Sequence, residues 1–162
     1  MMVLFSGGCA CGAIRYECSA DPVFSWNCHC RDCQRASGSA FCPVLYVAKA
    51  ALTVTGKSKY YDVRADSGNR VSRGFCPECG SPVLIQAELV PDLQGLWAAS
   101  LDDPSQFQPL VHVWTASAQP WDCMTPTLQK IDKAPTEKQM HELLTPRGLN
   151  RTTKHHHGDK MV

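Results

Sequence analysis

Seven of the ten cysteines in this 162-residue chain fall in three short runs: Cys9-Ala10-Cys11, Cys28-His29-Cys30-Arg31-Asp32-Cys33 and Cys76-Pro77-Glu78-Cys79. Thiols two or three residues apart can share one metal ion, so these runs constrain the path of the chain more than any other feature. Seven thiols are more than one tetrahedral ion uses and one fewer than two closed sites need. That arithmetic points to one closed site and one with an open position, which is where zinc chemistry takes place.

Cys76-Pro77-Glu78-Cys79-Gly80 has the form of a zinc knuckle. Its two-residue gap lets both sulfurs face one ion, and the glycine lets backbone amides approach them. Cys9-Ala10-Cys11-Gly12 is its natural partner, because it too ends in glycine at a strand end. Four thiolates from these two pairs would close a structural zinc site and contribute folding free energy directly. Cys28, Cys30 and Cys33 form the second group. Its fourth position is open to His29, water, a substrate thiol, or closure by Cys42. His29 lies between two ligands, where strand alternation would turn its side chain away from them.

The redox compartment bears on this reading. The N-terminus has no positive n-region and too short an apolar run for a signal peptide. No apolar stretch approaches the roughly 18 residues of a membrane span. A cytoplasmic, reducing setting is expected, where clustered cysteines mean metal or catalysis and not a disulfide scaffold. A net charge of +1 implies no broad basic field, so nucleic acid is not an expected partner.

The rest of the chain reads as a mainly β, compact zinc-binding fold, sandwich or barrel-like, with one short C-terminal helix. Eleven glycines and eleven prolines favour turns and short strands. Strands are expected at residues 13–17, Val23–Asn27, Phe41–Ala48, Leu52–Thr55, Ser58–Arg64, Asn69–Phe75, Pro82–Ala87, Leu96–Ser100 and Val111–Thr115. Arg31–Gly38 reads as a turn that can hold a short helical turn. Thr136–Leu144 has a helical pattern, with Thr136 as N-cap and Met140, Leu143 and Leu144 on one side. Residues 1–135 form the expected β domain, 136–145 the helix and 146–162 a polar, basic tail expected to be disordered. Cys18 and Cys42 read as small core residues, Cys123 as core or surface filler, and His155–His157 as part of the solvated tail.

Four segments together resemble the glutathione-dependent formaldehyde-activating enzyme family, also called the centromere protein V domain. They are Gly8-Cys9-Ala10-Cys11-Gly12-Ala13-Ile14-Arg15-Tyr16, the run from Cys28 to Phe41, Arg73-Gly74-Phe75-Cys76-Pro77-Glu78-Cys79-Gly80-Ser81, and the run from His112 to Trp121. The resemblance implies a β-fold of the zinc-binding type shared with methionine sulfoxide reductase B. It implies a structural zinc on Cys9, Cys11, Cys76 and Cys79 and a catalytic zinc on Cys28, Cys30 and Cys33. The activity it implies is of carbon–sulfur lyase type, joining glutathione and formaldehyde to S-hydroxymethylglutathione and the reverse.

In that chemistry a substrate thiol takes the open zinc position and loses its proton there. The sulfur then adds to the aldehyde carbon, and the oxygen takes a proton for which Asp32, His29 and Ser37 are candidate donors. Arg31, Arg35 and Arg73 are candidate contacts for the carboxylates of a glutathione-like thiol. Three thiolates leave a zinc ion with net negative charge, which suits thiol exchange better than water activation. The alternative from another class is a non-enzymatic, zinc-stabilised binding module for protein or nucleic acid, resting on the basic tail from Arg147. A methionine sulfoxide reductase with Cys123 as the reactive thiol would leave the 28–33 group without a purpose.

Overall fold

The computed structural model describes residues 2–144. The tail with His155–His157, and with it the sequence feature favouring a binding module, lies outside the described residues. The described residues form eleven strands and two α-helices: β1 Phe5–Gly8, β2 Arg15–Cys18, β3 Phe24–Cys28, α1 Arg31–Ser37, β4 Cys42–Ala48, β5 Leu52–Thr55, β6 Lys59–Arg64, β7 Arg70–Phe75, β8 Pro82–Ala87, β9 Leu93–Trp97, β10 Val111–Val113, β11 Gln129–Ile131 and α2 Glu137–Leu144. The mainly β expectation holds. The sheets are open: a three-stranded one ordered β1-β2-β5 and an eight-stranded one ordered β11-β10-β3-β4-β9-β8-β7-β6.

Side-chain alternation explains the layering. Leu45 and Val47 of β4 face one way and join Leu84, Leu96 and Val83 against Ile14, Tyr16 and Cys18 of the β1–β2 hairpin. Val44, Tyr46 and Cys42 face the other way and pack with Phe24, Cys28, Ile85 and Trp97. Phe24 stacks on Tyr46 with ring centroids 4.6 Å apart. Gly56, at the turn after β5, has φ +86°, and a Cβ there would stand 2.0 Å from the Ala13 carbonyl oxygen. Only glycine fits that turn.

Several boundaries differ from the sequence-based expectation. The strand expected at Leu96–Ser100 is Leu93–Trp97, followed by a 3-10 turn over Ala98–Ser100. The strand expected at Val111–Thr115 ends at Val113, because Trp114 takes φ 59° and turns the chain. Arg31–Ser37 is a full α-helix, closed by Gly38 in the left-handed conformation. Strands β1 and β11 are additional. Helix α2 has the expected cap: Thr136 Oγ1 accepts from the Gln139 N–H at 3.3 Å, and Gln139 Oε1 accepts from the Thr136 N–H at 2.9 Å. Met140 and Leu143 pack on the second core cluster, whereas Leu144 is exposed.

Asp102 pins the N-terminal hairpin to the segment after β9. Its carboxylate accepts from Ser6 Oγ at 2.6 Å and from Arg15 Nη1 at 2.8 Å, with Arg15 Nη2 also in contact. Arg15 first, then Ser6, holds the Asp102 carboxyl at about 2, below its usual 3.8. A depressed folded-state pKa contributes stability that is present above the unfolded value and lost as pH falls through the folded one. Asp102→Asn is therefore expected to lower Tm at pH 5, with the difference from wild type shrinking toward zero by about pH 2. A difference that stays constant over that range, read by thermal melts, would show that the ion pair contributes nothing.

Candidate metal centre

The first cysteine group joins two turns that are far apart in sequence. Cys9 follows β1, Cys11 lies in the turn to β2, and Cys76 and Cys79 lie in the turn from β7 to β8. Each turn closes on a glycine: the Gly12 N–H donates to the Cys9 carbonyl at 3.1 Å and the Gly80 N–H to the Cys76 carbonyl at 2.9 Å. Both glycines have positive φ, +79° and +74°, which a side chain would disfavour. The result brings the four sulfurs within 4.8 Å of one another. Cys9 and Cys76 are buried, while Cys11 and Cys79 are exposed. The Ile14 N–H donates to Cys9 Sγ at 3.1 Å. Ser81, through its hydroxyl and then its backbone, brings the Cys79 thiol down to about 5.

The second group is built at the corner between β3 and α1. Cys28 ends β3, Cys30 is the N-cap of α1, and Cys33 lies in its first turn. The Cys33 N–H donates to Cys30 Sγ at 3.4 Å. The three sulfurs lie within 4.8 Å of one another, and His29 and Cys42 stand outside that group. Cys28 and Cys33 are buried and Cys30 is half-buried. Contacts from Cys28, Cys30 and Cys42 hold the Cys33 thiol well below its usual value, with Arg73 acting in the same direction. Cys42 is fully buried opposite Cys28 in the β3–β4 register, and burial pushes its thiol up.

His29 faces away from the sulfurs, as alternation requires. It is fully buried; its Nε2 lies 2.9 Å from His112 Nδ1, and its Nδ1 lies 3.1 Å from an Asp122 carboxylate oxygen. Burial holds both imidazoles below the usual histidine value. Gln34 continues this polar lattice: its Nε2 donates to the carbonyls of His29 at 2.6 Å and Ser117 at 2.9 Å, and its Oε1 accepts from Gln119 Nε2 at 3.0 Å. The 112–122 segment thus fastens the Cys28–Cys33 corner from behind. Because β10 runs parallel to β3, His112 sits beside Asn27 and Val113 beside Cys28.

The other expected site residues separate clearly. Arg31 and Arg35 are exposed on α1, and Asp32 is half-buried there. Arg31 donates to Gln34 Oε1. Ser37 Oγ is engaged locally, donating to the Gln34 carbonyl at 3.3 Å. Arg73 is buried and turned inward, its Nη2 donating to Cys33 Sγ at 3.6 Å. Cys18 is a core residue and Cys123 is exposed. A cleft lined by Phe24, Ser25, Leu110, Leu128 and Leu143 opens near the start of β3 and includes none of the cysteines.

A model of the family described as glutathione-dependent formaldehyde-activating enzyme matches residues 4–117. The chain belongs to this family. The family match contains all seven clustered cysteines and ends before Asp122. No curated protein matches the chain. Among solved structures, the crystal structure of a Rhodobacter sphaeroides protein from a structural genomics programme aligns with a TM-score of 0.52 at 20% identity. That alignment covers 67% of this chain and 99% of the other, and it speaks to the fold alone. Either cysteine group of this formaldehyde-activating family member could hold a metal ion, and all-sulfur donor sets fit zinc. No helix among the described residues is long and apolar enough to cross a membrane.

Proposed function

We propose that this chain is a zinc-dependent enzyme of carbon–sulfur lyase type. It joins a glutathione-like thiol to a small aldehyde such as formaldehyde, giving the S-hydroxymethyl thioether, and catalyses the reverse. Cys9, Cys11, Cys76 and Cys79 would hold a structural ion, and Cys28, Cys30 and Cys33 a second one. The observation that carries the reading is the difference between the groups: four sulfurs in mutual reach in one, three in the other. When bound at the second group, zinc would supply a fourth position that holds a thiol in its deprotonated form.

The chemistry balances without a further reactant. A sulfur–carbon bond forms as the carbonyl π bond opens, and the proton leaving the thiol ends on the aldehyde oxygen. Asp32, half-buried beside Cys33, is our proton carrier from sulfur to oxygen. Arg31 and Arg35, exposed one turn apart on α1, are our contacts for the carboxylates of a peptide thiol. His29, held by Asp122 and His112, positions the corner that presents Cys28 and Cys30. Membership of a family described by glutathione and formaldehyde supports the substrate pair.

Thiols add to formaldehyde spontaneously, so the test is kinetic. Catalytic amounts of zinc-replete protein are expected to speed the approach to equilibrium above the uncatalysed rate. The acceleration should saturate in glutathione and leave the equilibrium position unchanged. Proton exchange spectroscopy between free and hydroxymethylated glutathione measures this at equilibrium. Exchange no faster than in buffer, for protein carrying two zinc ions, would end the lyase reading.

A further inference from the structure

Three thiolates around a divalent ion sum to one negative charge, and here two of the three sulfurs are buried. A charge taken out of water needs a partner close by. Arg73 is placed to be that partner. It sits in the middle of β7, between Tyr61 of β6 and Ile85 of β8, and is only 9% exposed. Arginine is rarely buried unless paired, yet among the described residues no carboxylate is in ion-pair contact with it. Among the described residues its side chain makes one hydrogen bond, to Cys33 Sγ, and its buried Nε has no partner. A cation has been carried into the sheet to face sulfur.

We propose that Arg73 sets the ligand preference of the three-cysteine group, making it select an anionic fourth ligand, a thiolate, over a neutral one such as imidazole. The inference rests on the reading that an exogenous ligand takes the fourth position. Without Arg73, an anion would have to join a centre already at −1. With the guanidinium counted, the three-sulfur centre itself is neutral and the anion meets less repulsion. A neutral ligand feels neither situation. Arginine suits the role because it stays charged in a buried position, where a lysine can shed its proton. This places Arg73 on the sulfur side of the substrate and leaves carboxylate recognition to α1.

The test uses the full chain loaded with cobalt in place of zinc, titrated with 2-mercaptoethanol and separately with imidazole. A closed four-sulfur site admits no added ligand, so changes in the cobalt absorption bands report the second group. Arg73→Met is expected to raise the Kd for mercaptoethanol at least about tenfold, since charges a few ångströms apart interact by more than that even at an effective dielectric near 20. The imidazole Kd should stay at its wild-type value. Arg73→Lys, assayed at a pH where the lysine is charged, should retain most of the thiol affinity. Circular dichroism checks the fold, and Arg73→Gln replaces the methionine variant if that one does not fold. Equal losses for both ligands, no loss for either, or a lysine variant as weak as the methionine one would each overturn the assignment. A wild-type spectrum that ignores mercaptoethanol would bring down the thiol reading and this inference with it. A wild-type response that persists unchanged in Arg73→Met would remove this inference alone.

Discussion

Cys76→Ser is expected to cost this protein its cooperative fold. Cys76 is completely buried, in the core cluster shared by Cys9, Ile14 and Tyr16 of the β1–β2 hairpin and Val83 and Leu84 of β8. Its sulfur lies 3.7 Å from that of Cys11. The four-sulfur group is therefore the junction at which the β1–β2 turn is tied to the β7–β8 turn. Structural zinc sites in small peptides bind with an apparent free energy of about 10–16 kcal/mol, all of it folding free energy where the site exists only in the folded chain. Whole domains are stable by only about 5–15 kcal/mol. Losing even part of the metal contribution can exhaust that margin. A buried serine hydroxyl without a partner adds about 1–3 kcal/mol more. Thermal melts by circular dichroism, with zinc content measured alongside, should show a broad transition or one tens of degrees lower. A sharp melt within a few degrees of wild type, in protein that has lost one zinc, would show that this group does not hold the fold.

The reason the cysteine groups were legible in the sequence is local geometry. Two sulfurs separated by one or two residues meet across a single turn, so spacing alone says which thiols can share an ion. Glycines 12 and 80 gave a second local sign, since their positive φ is what lets each turn close. Strand alternation turned His29 away from Cys28 and Cys30, and its ring contacts are His112, Asp122 and Phe41. What lay beyond the sequence is the lattice behind the corner. His112 and His29 are 83 residues apart and meet only because β10 runs parallel to β3, a pairing no local pattern encodes. Asp122 follows Trp121 in a stretch without periodicity, and nothing in that stretch points to a buried histidine. Arg73 looked like a solvent-facing arginine available to substrate; burial between β6 and β8 turns it to Cys33 instead.

Strand boundaries failed where composition hid the alternation. Leu93-Gln94-Gly95-Leu96-Trp97 reads as a loop into a strand because of its glutamine and glycine. In the fold Gln94 is buried and its Nε2 donates to the Ile85 carbonyl at 2.8 Å, so a polar side chain does the work of a core residue. Strand β1 carries two glycines, and Gly7 has no room for a Cβ: one would lie 2.3 Å from the Ser100 carbonyl oxygen. Propensity disfavours glycine in a strand, and here close approach of the next layer overrides it.

Cys30→Ser should separate chemistry from folding. The substitution removes one of three sulfurs, so the variant is expected to carry one zinc ion and wild type two. The fold should survive for a specific reason. Cys30 is the N-cap of α1, its side chain accepting from the Cys33 N–H, and serine is among the preferred residues at that position. Cys30 is also only half-buried, so the exchange leaves no sealed cavity. The Tm is expected to move by a few degrees at most. Catalysed exchange between glutathione and its hydroxymethyl adduct should fall by more than about a hundredfold, since removing even an outer partner of a metal ligand typically costs 10–100-fold. Metal content, melting and exchange rate measured on one preparation decide the matter. A stability loss as large as that of Cys76→Ser would mean that both groups are structural clamps. Full activity with a single zinc ion would move the chemistry away from the β3–α1 corner altogether.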